Sequence, residues 1–495
     1  RKAKILTTGI HGVFRGLKFE PDAEIEQKGA FYKGLFLYLP SDRIYCYNHI
    51  PRNTHYNLLK NRKKVQMKYL PIDNRLFIDN RKKIAAKLKP NSIAVLNSND
   101  IMPTSADGVR SFIQNPDIFY LSGIDQEESM LVIFPDARQE KHKEILFVKE
   151  TNEKIIIWEG RKYSKEEATA VSGIKTVYWT QEFETIFRPL VFEADRIYLN
   201  TNEHLRADVS VETRDARFLK QCKKLYPLHQ YQRLAPIMQD LRAVKSRIEV
   251  ELIEHACKIT ENAFRRVLGF IQPGVWEFEI EAEIYHEFIA NRSRGPAYTP
   301  IVASGPNTCI LHYVQNNRQC KDGDLLLMDF GAEYANYASD VTRTVPVNGK
   351  FTDRQKAVYQ AVLRVQKAAV QMLKPGNSFE EYQKQVGQIM EVELIGLGLL
   401  DAEAVKNQNR DSLLYKNYFM HGISHHLGLD VHDLGNNFGK FEQGMVLTCE
   451  PGIYIKEENI GIRLENDILI SKDGPVDLTG NIAIETEEIE DLMNA

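Results

Sequence analysis

The stretch 323–347, GDLLLMDFGAEYANYASDVTRTVPV, reads as a β-hairpin, and a second stretch, 444–470, GMVLTCEPGIYIKEENIGIRLENDILI, reads the same way. In the first, a turn through 333–336 is predicted to set Asp329 directly opposite Asp340. In the second, a turn through 456–459 sets Glu450 opposite Glu465. Directly opposed residues have Cβ atoms about 4.5–5.5 Å apart, a distance at which like charges destabilise a sheet. A chain that builds this arrangement twice needs positive charge between the carboxylates, and a pair of metal ions turns the repulsion into ligation. Gly323 precedes Asp329 by the interval that separates Gly444 from Glu450, with mostly apolar residues between them in both cases. The fixed offset points to two related halves that each give a hairpin to one site.

The rest of the chain fits a soluble, multidomain protein. Its 495 residues exceed one typical domain, and 43% hydrophobic with 26% charged residues is an ordinary globular composition. A net charge of −3 argues against nucleic acid or an anionic membrane as partner. No apolar run approaches the roughly 20 residues of a membrane span. Six scattered cysteines without a C-x-x-C argue against a zinc knuckle or disulfide framework, which makes the reducing cytosol the expected compartment.

Two domains follow from the pattern. From 67 to 240 helices alternate with apolar strands, among them a helix at 80–88 and strands at 92–96, 129–135, 144–148 and 196–199. From 241 to 495 the pattern changes. A long amphipathic helix over 243–268 is followed by a Pro273-Gly274 stop and a helix over 278–289. The two carboxylate hairpins then flank a helical stretch, 354–399, broken at Pro375-Gly376. Residues 1–66, basic and with an apolar stretch at 30–38, read as an extension of open status, the working protein beginning near Met67.

Between the hairpins lies MHGISHHLGLDVHD, which carries His421, His425, His426 and His432, four of the thirteen histidines within twelve positions. HGISH lacks the acidic residue of H-E-x-x-H. Adjacent His425 and His426 project differently, so at most one reaches a given metal. Four carboxylates and one imidazole form an oxygen-rich set that suits Mn²⁺, with Co²⁺ or Zn²⁺ as alternatives, better than a thiolate site would. Two divalent ions sharing carboxylates acidify a water, which makes metal-assisted hydrolysis the natural reaction class.

These residues also carry a resemblance. The HYVQ segment at His312, the 325–352 run, MHGISHHLGLDVHD, LTCEPGIYI and GIRLENDILI, in that order, resemble the creatinase/methionine aminopeptidase (pita-bread) superfamily. Within it they are most similar to Xaa-Pro aminopeptidase (aminopeptidase P), with prolidase next. DGVRSFIQNPDIFYLSG resembles that family's N-terminal domain. The resemblance implies an α/β two-domain protein: a creatinase-like α/β domain over 67–240 and a pita-bread α+β catalytic domain over 241–495. It implies Asp329 on one metal, Asp340 and Glu465 bridging two, and His425 and Glu450 completing the other, with Glu450 also handling the proton of the attacking water. His312 and His432 match substrate-side histidines placed to stabilise an oxyanion. His421 and Tyr454 match pocket residues, and Arg463 matches an arginine that orients the carboxylates, although an ordinary cross-strand ion pair reads equally well there. Thr342 and Thr344 read as structural. The second histidine, His426, departs from the apolar or aromatic residue common at that position, and the Glu450–Glu465 connection is shorter than in some relatives.

The activity so implied is release of the N-terminal residue from peptides with proline second, with two divalent ions and a homo-oligomer (dimer or tetramer) expected. A dipeptide-restricted prolidase and a non-catalytic binding protein on the same fold are the alternatives. The first turns on whether a cation closes the far side of the proline pocket. The second would be favoured by lost ligands, and all five are present.

Overall fold

The computed structural model describes residues 67–495 apart from 208–209 and 410–411. The readings of 1–66 lie outside the described residues. Six strands form the first sheet: β1 (Ser92–Asn97), β2 (Met130–Ile133), β3 (Glu144–Val148), β4 (Thr176–Trp179), β5 (Arg196–Leu199) and β6 (Gln230–Arg233), in the order β4-β3-β2-β1-β5-β6. The sheet is mixed, with β1–β2 and β2–β3 antiparallel and the other pairs parallel. Strand β1 shows why its sequence is an unbroken apolar run. Ile93 and Val95 enter one core with Phe183 and Phe187, while Ala94 and Leu96 enter another with Ile118 and Leu121. A strand whose side chains alternate between two covered faces cannot afford a polar side. The expected strands over 92–96, 144–148 and 196–199 are there, and the first helix runs Arg75–Lys87.

Helix Ala235–Ala243 ends this region, and helix Arg247–Leu268 opens the next after three residues. Ser246 caps the second helix reciprocally with Glu249, satisfying two backbone N–H groups that a helix start leaves open. The short joint is clamped by buried charge. Arg242 donates to Asp117 on helix Pro116–Ser122 (2.8 Å), to Asp430 (2.7 Å) and to Asp433, and Lys245 Nζ donates to Asp433 (3.0 Å). Asp430 and Asp433 belong to the histidine motif, so one guanidinium joins the first sheet's helices to the later site.

The remaining strands are β7 (Ile301–Ser304), β8 (Leu325–Phe330), β9 (Glu333–Tyr334), β10 (Tyr337–Ala338), β11 (Val341–Pro346), β12 (Val446–Cys449), β13 (Gly452–Ile455), β14 (Ile460–Arg463), β15 (Asn466–Ser471) and β16 (Gly474–Asp477). They form the ladders β11-β8-β7, β9-β10, β12-β15-β16 and β13-β14, all antiparallel. Helices Arg247–Leu268, Glu277–Ala290, Asp353–Val370 and Phe379–Gly396 share one hydrophobic core with these strands.

The two-half reading extends well beyond the hairpins. Each half runs helix, Pro-Gly, helix, strand. Gly274 N–H donates to Cys320 O and Gly376 N–H to Phe441 O (2.8 and 2.9 Å). Three residues after each acceptor stands a glycine with positive φ, Gly323 at 81° and Gly444 at 93°. Six residues further come Asp329 and Glu450. The α/β domain followed by an α+β domain is therefore the observed architecture.

Candidate active site

The second hairpin has the expected register. Cys449 pairs with Asn466 and Gly452 with Arg463, so Glu450 and Glu465 stand opposite one another where Pro451 interrupts the ladder. The turn at 456–459 is also as expected, with Asn459 taking the left-handed conformation (φ 54°).

The first hairpin corrects the expectation. Asp329 pairs with Thr342, not Asp340, because the turn is two residues, Ala335-Asn336, both at positive φ (54° and 68°). The midpoint therefore lies one residue later than a 333–336 turn would put it. The two strands are displaced by two residues, and a two-residue displacement keeps every side chain on its face. Asp340 and Asp329 remain neighbours on a diagonal, and the Tyr298 hydroxyl contacts Oδ1 of both. Gly331 is what allows the crossing: a Cβ there would lie 1.7 Å from Ser339 O.

The histidine motif is laid along β12 as an extra strand-like segment. Leu427 N–H donates to Val446 O, Thr448 N–H to His425 O and Glu450 N–H to Ile423 O, each at 3.0 Å. Strand alternation then separates the adjacent histidines. His425 faces the carboxylates, its Nε2 3.4 Å from Asp340 Oδ2 and 3.8 Å from Glu450 Oε1. Its Nδ1 lies 3.0 Å from His426 O, and with the proton held there Nε2 keeps a free lone pair. His426 faces the other way, buried against Phe379, with no hydrogen-bond partner at either ring nitrogen.

Asp340, His425 and Glu465 can each offer one atom within 4.8 Å of one another, a metal-competent group among the described residues. Beside this group Arg463 donates Nη2 to Asp329 Oδ2, Nε to Thr342 Oγ1 (3.0 Å) and Nη1 to the Tyr454 hydroxyl (3.0 Å). Arg463 is thus no mere cross-strand pair. Thr342, read as structural, donates to Glu465 Oε2 at 2.7 Å. His421 lies 3.6 Å from Glu450 and 2.8 Å from the Tyr454 hydroxyl. His432 is exposed, edge-on to His425 with ring centres 4.3 Å apart. His312 stands exposed at the rim, near enough for its charge to act on His421.

The electrostatics describe a site short of positive charge. Burial, with neighbouring Asp340 and Glu450, pushes Glu465 well up, and burial pushes Asp329 up despite Arg463. Burial raises Glu450 to about 7, although His425 and Arg463 pull the other way. Burial works against a charged His425, but the Asp340 and Glu450 carboxylates prevail and raise it to about 9. The upward shifts of Asp329, Glu450 and Glu465 mark a site that favours added positive charge, so the oxygen-rich donor set fits divalent ions.

Four residues near the site gave no sequence signal. Tyr298 stands alone in a loop before β7, and Asp467 accepts the Asp340 N–H (3.0 Å) from inside a strand. Thr342 was indistinguishable from its alternating neighbours. Arg206 comes from the other domain and reaches His432.

Comparison with known proteins agrees with this geometry. Residues 251–472 match the model of metallopeptidase family M24, and 77–198 match the aminopeptidase P N-terminal domain. The chain is 35% identical over 440 residues to the Xaa-Pro aminopeptidase of Escherichia coli (86% of this chain, 98% of that one). It is 32% identical over 419 residues to human Xaa-Pro aminopeptidase 3 (81% and 80%). Among solved structures, zinc-substituted aminopeptidase P of E. coli with product superposes with a TM-score of 0.76 at 34% identity (86% and 99% covered). The aminopeptidase PepP of Pseudomonas aeruginosa gives 0.78 at 31% (86% and 98%).

Proposed function

The chain belongs to metallopeptidase family M24, and from that premise we propose that it releases the N-terminal residue of peptides whose second residue is proline. The observation that carries the reading is that Asp340, His425 and Glu465 each offer an atom within 4.8 Å of one another, with Glu450 3.8 Å from His425 and Asp329 joined to Asp340 through the Tyr298 hydroxyl. Relatives named Xaa-Pro aminopeptidase align over nearly their whole length, which favours the aminopeptidase over the dipeptidase. The complete ligand set speaks against a non-catalytic binding role.

In this reading Asp329 would hold one divalent ion, His425 and Glu450 would hold another, and Asp340 and Glu465 would be shared between them. Manganese is the proposed native ion on the strength of the oxygen donors, with cobalt and zinc as competitors. The ions, when bound, supply a water acidic enough to attack near neutral pH. The chain's own residues do the rest. Tyr298 and Arg463 orient Asp340 and Asp329, and a second layer of this kind fixes ligand direction. Glu450, beside His425, is suited to take the proton of the attacking water at a carboxylate oxygen and pass it to the leaving nitrogen. His432 and His312, at the open side, would donate to the scissile carbonyl oxygen as it gains charge. His421 and Tyr454 line the pocket. Proline's imide bond resists most peptidases, so a site shaped for the ring reaches substrates otherwise protected.

The domain boundaries proposed are 67–240 and 241–495, and the two family matches fall inside them. Among the described residues no helix is long and apolar enough to cross a membrane, and the five described cysteines are free thiols, which suits the cytosol. A homo-oligomer is proposed on the exposed run Ile156–Trp158, for which a second copy is the natural cover. The deciding experiment compares an Xaa-Pro-Yaa tripeptide with an Xaa-Pro dipeptide, each with and without Mn²⁺. Metal-dependent cleavage of the tripeptide supports the aminopeptidase. Cleavage of the dipeptide alone makes it a prolidase, and cleavage of neither removes the reading.

A further inference from the structure

Residues 200–207, which follow β5, reach from the first domain to His432. They are tied down on the way: Asn202 Oδ1 accepts His204 N–H (3.1 Å), His204 Nδ1 accepts Arg206 N–H (3.1 Å), and Ala207 N–H donates to His204 O (2.9 Å). Glu203 is held by Arg233, with Nε at 2.9 and 3.0 Å from its two oxygens. The turn therefore presents the Arg206 side chain from an ordered base. Its Nη1 lies 2.8 Å from His432 Nε2 and 3.1 Å from Nδ1.

Three features set this arginine apart. Among the described residues no carboxylate pairs with it, so its one side-chain partner is an imidazole that carries no fixed charge. It is exposed, whereas Arg463 on the inner side of the site is buried and committed to Asp329, Thr342 and Tyr454. It belongs to the other domain, so the catalytic fold does not need it for packing. A guanidinium with open donors at the mouth of an acidic site is built to meet an anion.

The position also says which end of a peptide lies there. A substrate's α-ammonium is repelled by Arg206 and attracted by the carboxylate cluster, so the cation marks the leaving-group side. His432, its ring centre 4.3 Å from that of His425, stands between His425 and Arg206, whose Nη1 lies 2.8 Å from His432 Nε2. The guanidinium therefore stands on the outer side of His432, where the chain that follows proline in a short peptide would carry its terminal carboxylate.

We propose that Arg206 is a specificity residue that captures the free C-terminal carboxylate of a short Xaa-Pro-Yaa substrate, with His432 between it and the reacting carbonyl. The proposal rests on the Xaa-Pro reading above. It makes the enzyme a finisher of small peptides whose preference for a free terminus comes from the first domain.

The test measures kcat/KM for one Xaa-Pro-Yaa sequence as free acid and as C-terminal amide, on Mn²⁺-loaded full-length protein. Wild type is expected to favour the acid by about tenfold, the worth of a charge-assisted hydrogen bond at an accessible site. Arg206→Ala should bring the ratio to about one, Arg206→Glu below one, and Arg206→Lys should retain part of the preference. Inhibition by the product Pro-Yaa, as acid and as amide, should follow the same order and reads binding without turnover. A wild-type ratio near one overturns the proposal while leaving the Xaa-Pro reading intact. So does an Arg206→Ala variant that loses acid and amide activity equally, since that is what a residue serving only to orient His432 would do. If wild type cleaves neither form, the Xaa-Pro reading falls and this one with it.

Discussion

Replacing Tyr298 by phenylalanine isolates one hydroxyl. The ring stays, and what goes is the contact with Asp329 Oδ1 and Asp340 Oδ1, the two carboxylates that the hairpin crossing brings together on a diagonal. Burial and both aspartates keep this phenol well above its ordinary pKa, so it is a proton donor at any working pH. A hydrogen bond to a charged group contributes about 1.5–3 kcal/mol, and each 1.4 kcal/mol is roughly a factor of ten in an equilibrium. One hydroxyl proton serves the two carboxylates, and since Arg463 still holds Asp329, losing it chiefly frees Asp340 to rotate away from its ligating orientation. Metal affinity is therefore expected to fall by about 10- to 100-fold, in the range that such orienting partners command at metal sites. The assay is competition between the protein and a chelator of known affinity, followed by kcat at saturating metal. The two halves separate the roles: a lost orientation is made good by excess metal, so kcat should recover most of its value. Affinity within about twofold of wild type would refute the reasoning, because it would mean the ions displace the phenol when they bind.

Four further outcomes are expected. Asp340→Ala and Glu465→Ala should each abolish activity and lower metal content, and full occupancy in the inactive proteins would remove the bridging assignment. His432→Ala should keep its metal while kcat falls, one oxyanion donor being worth about 2.7–4 kcal/mol; a change confined to KM would point to ground-state binding instead. His426→Phe should hold activity and raise the melting temperature, because both ring nitrogens are buried without a partner and such groups cost about 1–3 kcal/mol each; a lower melting temperature would show that the nitrogens are satisfied in solution. The last concerns pH. Glu450 is raised to about 7 and His425 to about 9, so the stability these protons contribute is complete below the unfolded values and is lost as pH rises through those folded ones. His421 and His432, held near 3 chiefly by burial, act oppositely but only below the ordinary histidine range. Between about pH 6.5 and 9 the metal-free protein should therefore lose stability, and the rise in melting temperature on adding Mn²⁺ should grow. A metal-induced rise that is flat over that interval would contradict it.

The candidate ligands were legible because their signals were local. A carboxylate six residues after a turn glycine, twice, is visible in a string, and parity protects such a reading: the first hairpin slid by two residues and still delivered Asp329 and Asp340 to one face. What failed was the turn, since nothing in the letters announced that Ala335 would accept a left-handed backbone. The separation of His425 from His426 was anticipated, but its cause was not, because the pairing of that segment with β12 is a tertiary event. Tyr298 and Arg206 stayed hidden for a simpler reason. Their partners lie 31 to 226 positions away, and a lone tyrosine or arginine in a loop has no periodicity to betray it. Arg463 could be read two ways until its three partners were in view.

The clamp at the joint constrains how this protein can change. Arg242 spends one guanidinium on Asp117, Asp430 and Asp433, and the backbone next to Asp433 carries His432. Stranding a buried charge by removing its partner typically costs about 3–5 kcal/mol. A drift of the first domain, or its replacement by a foreign one, would take Asp117 away from this guanidinium and loosen the joint that holds the histidine segment. The joint thus makes the position of the first domain a condition on the placement of His432: a graft of either domain onto a foreign partner has to supply a carboxylate where Asp117 stands.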